Sequence, residues 1–200
     1  MSKRPGKNKT NLEETRSVFL TIAREEFAEF GYASASTSRI VQKSGMARGS
    51  LYYHFGDKNG LFKAVYEEIM HEGLETITNK MAGSQTHWDA LKTGISAFMD
   101  LCMDPVYRKI TLMESQAAMT YSERYEVNHR TLLGKLQELL PSLLQKGYFP
   151  GHTQDTIAVF LLGMLAESGR TLDTVENIEQ TRELFGHAIE STLNLMKPIK

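Results

Sequence analysis

Apolar residues recur at intervals of three and four along nearly the whole chain, the spacing that gives a helix one buried face. No segment shows the sustained alternation of apolar and polar positions that is typical of a strand. The pattern therefore predicts an all-α protein of about nine helices. The predicted helices cover residues 12–30, 38–44, 47–54, 58–81, 88–103, 106–118, a leucine-rich stretch from 122 to 144, 153–170 and 175–196.

Residues with known preferences at helix ends support these boundaries. Gly31 and Gly45 follow the first and second helices, where glycine readily adopts the left-handed conformation that ends a helix. Thr37 and Asp57 precede the second and fourth helices and are predicted to act as N-caps. Pro141 lies inside the leucine-rich pattern, so the sequence predicts a kink or a break there.

The charges divide the chain into a basic front and an acidic body. Residues 1–63 hold 11 Lys and Arg against 6 Asp and Glu, whereas the remainder holds 12 against 18, so the net charges are +5 and −6. This distribution favours docking of a polyanion at one end of the molecule.

Composition argues against several other classes of protein. The single cysteine, Cys102, cannot form a disulfide within the chain, and the histidines lack tight metal-ligand spacing, so we expect no metal and no cofactor. The longest apolar run, residues 157–166, is far shorter than the ~20 residues of a membrane helix. With no apolar signal core after the basic N-terminus, we expect a cytoplasmic protein without a membrane partner. No nucleophile–base pair or phosphate loop indicates an enzyme.

Residues 37–62 carry the most specific pattern in the chain. Two short predicted helices are separated by a turn that contains Gly45, and so short a turn makes the helices cross steeply. This is the geometry of a helix-turn-helix, whose second helix enters the major groove of DNA. Ile40, Val41 and Leu51 are expected to form its small core. DNA recognition is therefore the leading functional hypothesis.

The second helix of this unit carries the candidate base-reading groups. Arg48 can donate two parallel hydrogen bonds to guanine, and Gly49 allows the backbone to approach the bases closely. Tyr53 and His54 offer donors at the level of the phosphates. Two interpretations of Tyr52 stay open, namely contact with DNA or packing of its ring on the first helix.

Phosphate contacts are predicted around this helix. Thr37 and Ser38 lie at the start of the preceding helix, where free N–H groups favour an anion. Lys58 lies in the first turn of the fourth helix, where its charge opposes the helix dipole, so an external phosphate is its expected partner. Arg39 and Lys43 either contact the DNA backbone or are plain solvated charges.

Several spaced positions of this region fit one known family pattern. They are Gly31, Tyr32, Thr37, Ile40, Gly45, the run from Leu51 to Phe55, Asp57, Lys58 and Leu61. On these positions the chain resembles, over about residues 12–65, the DNA-binding domain of the TetR family of transcriptional repressors. It departs from the family at Ala47, where a hydroxyl residue is common, and at Gly60, which is expected to loosen the fourth helix by roughly 1 kcal/mol.

The resemblance implies an all-helical homodimer that binds double-stranded DNA with its first three helices and a small molecule in its larger domain. The implied phosphate contacts are Thr37, Tyr53, His54 and Lys58, and the implied base or groove contacts are Arg48, Gly49 and Tyr52, beside Ala47. We predict a flexible basic arm at residues 1–10, a helix-turn-helix DNA-binding domain at 11–56 and a helical effector-binding and dimerisation domain at 57–200.

Apolar residues of the body supply two further sets of candidates. Effector-binding candidates are Met70, Leu74, Phe98, Cys102, Met113 and Tyr125, for which ordinary core packing is the alternative. The helix at 153–170 is apolar nearly all round and must be covered on all sides, which favours a dimer through the last two helices. The dimer-interface candidates are Phe160, Leu161, Met164, Leu165, Phe185 and Ile189.

The sequence as a whole predicts a ligand-responsive transcriptional regulator. We expect a repressor that binds a palindromic operator as a dimer and is released by a small apolar molecule, with the long fourth helix as the lever. The alternative is an activator, or a regulator without a small-molecule effector. Two hypotheses from other functional classes are a helical enzyme and a protein-interaction module. A protein-interaction module would not bind DNA.

Overall fold

The computed structural model describes residues 5–198, with side chains from residue 12 onward, and this part of the chain is all-helical, as predicted. It contains ten helices and no strand. The helices are α1 (Pro5–Ser34), α2 (Thr37–Ser44), α3 (Arg48–Phe55), α4 (Lys58–Met81), α5 (His87–Leu101), α6 (residues 105–118), α7 (Tyr121–Arg130), α8 (Leu132–Gln145), α9 (Gln154–Thr171) and α10 (Ile178–Leu195).

Helix α1 differs from its predicted extent at both ends. It begins earlier, so that residues 5–10 of the predicted arm are helical, and residues 1–4 of that arm lie outside the described residues. Near its end, Gly31 interrupts the helical geometry with φ 71° and ψ 168°, a left-handed conformation that favours glycine. The chain therefore bends at Gly31 before α1 ends.

The caps around the helix-turn-helix are partly those predicted. Gly45 ends α2 in the left-handed conformation, with φ 65°, and Asp57 caps α4 by accepting a hydrogen bond from the Gly60 N–H at 2.8 Å. The predicted cap Thr37 is wrong, because it is already the first helical residue. Ser36 caps α2 instead, since its extended backbone lets its hydroxyl accept a hydrogen bond from the Arg39 N–H at 3.4 Å.

Helix α6 contains a widened central stretch that the sequence did not indicate. Residues Pro105–Tyr107 and Ser115–Ala118 are α-helical, whereas Arg108–Glu114 form a π-helix, with hydrogen bonds between residues five apart. The Thr111 hydroxyl donates to the Tyr107 carbonyl, and the Ser115 hydroxyl donates to the Thr111 carbonyl, each at 2.7 Å. Side chains therefore bond carbonyls along the widened stretch.

The leucine-rich segment breaks, but not at Pro141 as predicted. The break lies at Thr131, whose φ of −123° and ψ of −111° separate α7 from α8, while Pro141 lies inside α8. Proline cannot bond the carbonyl four residues before it, which here belongs to Gln137. The side-chain amide of Gln154, in the first turn of α9, donates to that carbonyl at 3.0 Å and so replaces the lost bond.

Buried apolar residues form one continuous core from the front helices through the body. Helix α4 packs against both α1 and α5, and its Phe62 meets Phe27 of α1 edge to face, with 5.0 Å between the ring centroids. Helix α4 thus connects the two predicted domains, whose boundary at residues 56 and 57 stays a prediction.

Candidate DNA-binding surface

The helix-turn-helix has one buried and one exposed side. Ile40 of α2 and Leu51 of α3 are completely buried, and Phe55 packs edge to face against Phe19 of α1 at 6.3 Å. These contacts fix α3 on α1 and turn its opposite side outward. The outward side holds Ala47, Arg48, Gly49, Tyr52 and Tyr53, all of which are exposed.

Arg48 and Tyr52 form a pair on this outward side. The Arg48 Nη2 donates to the Tyr52 hydroxyl at 3.2 Å, and its guanidinium lies 5.5 Å from the centre of the tyrosine ring. The Tyr52 ring lies along Arg48 and is 38% exposed, so part of it is accessible from outside, and both interpretations of Tyr52 stay predictions. Hydrogen bonds from Arg48 and Thr37, together with the charge of Arg48, lower the pKa of Tyr52. Three predicted contact residues thus lie together.

The rest of the outward side is open to a ligand. A Cβ added to Gly49 would meet no atom within 4 Å, so the backbone of α3 is unobstructed there. Tyr53 is 75% exposed, and its ring meets the half-buried His54 edge to face at 5.3 Å. Ser38 is exposed at the start of α2. These positions are accessible, and their contact with DNA stays a prediction.

Arg39 is bound to α1, so it is not a plain solvated charge, and its predicted contact with the DNA backbone stays a prediction. Its Nε donates to Glu26 Oε1 at 2.7 Å, its Nη2 donates to the Ser34 carbonyl at 2.9 Å, and its guanidinium lies 4.3 Å from the Phe30 ring centre. Lys43 approaches Glu26 Oε2 at 4.0 Å and keeps 44% of its side chain exposed. Arg39 therefore anchors α2, and Lys43 retains an accessible charge.

Glu26 is a structural residue that the sequence reasoning missed. It is completely buried, and its Oε1 also accepts a hydrogen bond from the Ser36 N–H at 2.9 Å. Burial raises the pKa of Glu26, but the hydrogen bonds from Arg39 and Ser36 and the charges of Arg39 and Lys43 outweigh it, so the pKa lies below its usual value. The ionised carboxylate therefore joins α1 to the cap and body of α2.

Lys58 already has partners within the chain, and its predicted contact with an external phosphate stays a prediction. Its Nζ donates to the Ala33 carbonyl at 2.9 Å and lies 4.9 Å from the Tyr32 ring centre. A cation is favourable at the C-terminal end of α1, where unpaired carbonyls gather. Since an ammonium group has three donors, this contact leaves the others available.

The predicted effector-binding residues do not form one site. Met70 and Phe98 line a common cavity in the body. Leu74 and Cys102 do not line it, and Met113 and Tyr125 are 36% and 41% exposed outside it. Burial raises the pKa of the Cys102 thiol to about 12, against the opposing charge of Arg108, so Cys102 is an inert core residue.

The predicted dimer-interface residues fall into two groups. Leu161, Leu165 and Ile189 are buried within the subunit and pack inward, so they do not form an exposed face. Phe160 is 50% exposed, and Met164 and Phe185 are half-buried. The strongly exposed apolar residues of this region also include Val159 and Leu184, which the sequence reasoning missed.

An exposed recognition helix, a left-handed glycine turn and a capped fourth helix define a helix-turn-helix DNA-binding protein with a helical body. The family model "Bacterial regulatory proteins, tetR family" matches residues 19–65, and "Tetracyclin repressor-like, C-terminal domain" matches residues 88–196. The chain belongs to the TetR family of transcriptional regulators, which confirms the resemblance drawn from its sequence.

Individual relatives match along nearly the whole chain. The HTH-type transcriptional repressor AcnR of Corynebacterium diphtheriae is 26% identical over 94% of this chain and 98% of its own length. A TetR-family transcriptional regulator from Pectobacterium atrosepticum has a TM-score of 0.77 and 26% identity, covering 95% of this chain and 98% of that one. FadR from Bacillus subtilis, in complex with stearoyl-CoA, shares the fold with a TM-score of 0.71 and 22% identity over 84% and 96% of the chains.

No helix within residues 5–198 is both long enough and apolar enough to cross a membrane. Among the side chains of residues 12–198, no group of three or more metal-ligating residues comes together.

Proposed function

We propose that this protein is a ligand-responsive transcriptional repressor that binds a palindromic operator as a homodimer. The observation that carries the proposal is the outward side of α3, where Arg48, Gly49 and Tyr53 are exposed while Leu51 anchors the opposite side. A helix held on one side and open on the other is suited to the major groove. The repressor AcnR, similar along nearly the whole chain, favours repression, and activation is the alternative.

In the proposed complex, the paired Arg48 and Tyr52 meet the base edges. Arg48 donates two hydrogen bonds to guanine O6 and N7, and its contact with the Tyr52 hydroxyl holds the guanidinium on the outward side of α3. Gly49 lets the backbone approach the groove, since no side chain stands there. This group supplies the sequence-specific part of the contact.

Phosphate contacts position the helix. Thr37 and Ser38 lie at the start of α2, and Tyr53 and His54 lie at the far end of α3. Lys58 uses one donor on the Ala33 carbonyl and directs another to the DNA backbone. The main role proposed for Arg39 is to position α2 through Glu26, and its contact with the DNA backbone stays a prediction.

The proposed dimer joins α9 and α10 of two subunits. Val159, Phe160 and Leu184 expose 57%, 50% and 60% of their surfaces, and Gly163, one turn after Phe160, has no atom within 4 Å of its added Cβ. A partner's helices can therefore approach closely and cover apolar surface. A two-fold dimer sets the recognition helices about 34–36 Å apart, or a multiple of it, which requires a palindromic site.

The effector is proposed to bind in the body between α4 and α9, beside the cavity lined by Met70 and Phe98. FadR, which has the same fold, is described in complex with stearoyl-CoA, so this fold has room for a ligand. A ligand changes operator affinity only if it binds two conformations differently. Because the proposed function is DNA binding, we propose that the protein is located in the cytoplasm.

Selection of bound sites from random double-stranded DNA with the purified full chain tests the proposal. We expect a palindromic consensus, and we expect Arg48→Ala to lower affinity for it by about tenfold to a hundredfold, since a bidentate guanine contact is worth about 1–3 kcal/mol. Recovery of no consensus, or of an isolated half-site, would contradict the proposal. Arg39→Lys serves as a control that keeps the charge but alters the α2 anchor.

A further inference from the structure

Two cavities in the body share a wall and differ in chemistry. The first, of about 40 Å³, is lined by aliphatic side chains that include Ile77, Leu91, Ile95, Leu136 and Leu139. The second, of about 100 Å³, is lined on one side by polar groups that include Tyr66, Tyr107, Thr111, Ser115 and Asn128. Phe98, Leu132 and Leu162 line both cavities. Displacement of these three side chains would join the two cavities into one elongated space with an apolar arm and a polar arm.

Arg124, on α7, brings a positive charge to the polar arm. Its Nη1 donates to the Met119 and Ser115 carbonyls at 2.6 and 3.4 Å, and its charge acts on the Tyr66 hydroxyl. Its Nε and Nη2 have no hydrogen-bond partner and no acidic partner in the part of the chain that the structure describes. Two planar donors of a partly buried guanidinium are thus left for a ligand.

The other cations that line these cavities are paired. Lys135, beside the apolar arm, binds Glu138 at 2.9 Å, and Arg170, beside the polar arm, binds Glu167 through Nε at 2.9 Å. Arg124 differs from both because no carboxylate neutralises it. A planar guanidinium matches a carboxylate with two parallel hydrogen bonds, which is the strongest complement that the cavity offers.

We infer that this space binds an elongated amphipathic molecule with one anionic head group, of which a straight-chain carboxylate is the simplest example. The head group pairs with Arg124, and the chain passes the shared wall into the apolar arm. This inference rests on the proposed function and replaces the small apolar effector expected from the sequence with an anionic one. Both cavities are small beside the 300–1,000 Å³ of most ligand sites, so a ligand that fills them must move their walls.

The wall that moves is connected to the DNA-binding helices. Thr111 and Ser115 of the polar arm belong to α6, and Glu114 between them accepts a hydrogen bond from the Tyr32 N–H at 2.8 Å. An added Cβ on Gly31 would lie 2.8 Å from Glu114 Oε1, so the carboxylate rests against the bend in α1. Displacement of the widened stretch of α6 therefore shifts the end of α1, whose Ala33 carbonyl holds Lys58.

Calorimetric titration of the full chain with decanoate, decanol and butyrate tests the binding class. We expect decanoate to bind at least tenfold more tightly than decanol, which lacks the charge, or butyrate, which cannot reach the apolar arm. Arg124→Gln should weaken decanoate at least tenfold and leave decanol unchanged, whereas the matched control Arg170→Gln, at a cation that already has a partner, should change decanoate less than threefold. Equal affinity for decanoate and decanol in the unaltered protein overturns the inference, whether or not the Arg124 variant folds.

A second measurement tests the connection through Glu114. Decanoate should weaken operator binding by the unaltered protein at least tenfold, and Glu114→Ala should reduce that response below threefold while decanoate still binds. An unchanged response in this variant overturns the connection. If decanoate binds as expected but no operator is recovered from random DNA, the proposed function fails and the binding site stands. If an operator is recovered but decanoate does not bind, the site fails alone.

Discussion

The carboxylate of Glu26, completely buried on α1, accepts a hydrogen bond from the Arg39 guanidinium of α2 at 2.7 Å. The same oxygen accepts the Ser36 N–H, so a single group fixes both the cap of α2 and the side chain that follows it. The position of α2 determines where the turn and α3 lie. The exposed recognition surface therefore depends on a carboxylate that is not itself exposed.

Replacing this carboxylate tests its structural role. We expect Glu26→Gln to lower the free energy of unfolding by about 1–2 kcal/mol, because charge-assisted hydrogen bonds become neutral ones. Chemical denaturation at pH 7 measures the change. Glu25→Gln, at the exposed neighbouring position, is the control and should change stability by less than about 0.5 kcal/mol. Equal losses in the two variants would contradict the role given to Glu26.

The lowered pKa of Glu26 predicts a pH dependence of the same contact. A carboxyl whose pKa is lower in the folded protein contributes stability above its ordinary pKa of 4.5, and this contribution is lost as the pH falls through the folded pKa. The difference in stability between the unaltered protein and Glu26→Gln should therefore be full at pH 6 and should shrink below about pH 4.5. Thermal denaturation of both proteins from pH 6 to pH 3 checks this, and a constant difference would be the contrary result.

Local rules predicted the fold class, the glycine turn and the exposed side of α3, because helical period, Gly45 and Asp57 act within a few residues of themselves. These local rules could not single out Glu26, because it is one of several acidic residues on the first helix. Its burial depends on the packing of α2 against α1. The same long-range contact excludes the prediction that Arg39 is a plain solvated charge.

Pro141 is a second residue whose structural effect depends on a contact that is distant in the sequence. Its missing N–H leaves the Gln137 carbonyl without its helical partner, but the sequence cannot show that Gln154 of α9 supplies a donor there. The pattern around Thr131 carried no proline or glycine at the break itself, so the real interruption was not predicted. The effector-binding candidates could not be sorted by local rules either. The spacing of apolar residues does not distinguish Cys102, which lies in the core, from Met70, which lines a cavity.

Gly60 has a steric role beyond its poor helix propensity. An added Cβ would lie 2.0 Å from the Phe55 carbonyl oxygen, which belongs to the end of the recognition helix. The sequence led us to expect that glycine at this position destabilises α4, whereas the close approach indicates that a larger residue would be worse. We therefore expect Gly60→Ala to lower the free energy of unfolding by about 1–3 kcal/mol. Denaturation in urea measures it, and a stabilised variant would exclude the close approach.

Gly49 is a suitable comparison for Gly60, because a Cβ added to Gly49 would meet no atom within 4 Å. Gly49→Ala should raise the free energy of unfolding by about 0.5–1 kcal/mol, since alanine is the better helix former. If α3 enters the groove as proposed, the same variant should bind the selected operator more weakly despite its greater stability. Undiminished operator affinity would place Gly49 outside the contact.

The exposed apolar residues of α9 and α10 predict the oligomeric state. Phe160→Glu places a charge on a side chain that is 50% exposed in the single subunit, so the subunit itself should remain folded. In a dimer through this face, the charge would be buried without a partner, which costs several kcal/mol. We therefore expect the unaltered protein to sediment as a dimer and Phe160→Glu as a folded monomer with weakened operator binding. Tyr121→Glu, at a more accessible position on α7 that is 73% exposed, should remain a dimer, and dissociation of both variants or of neither would contradict a dimer through α9 and α10.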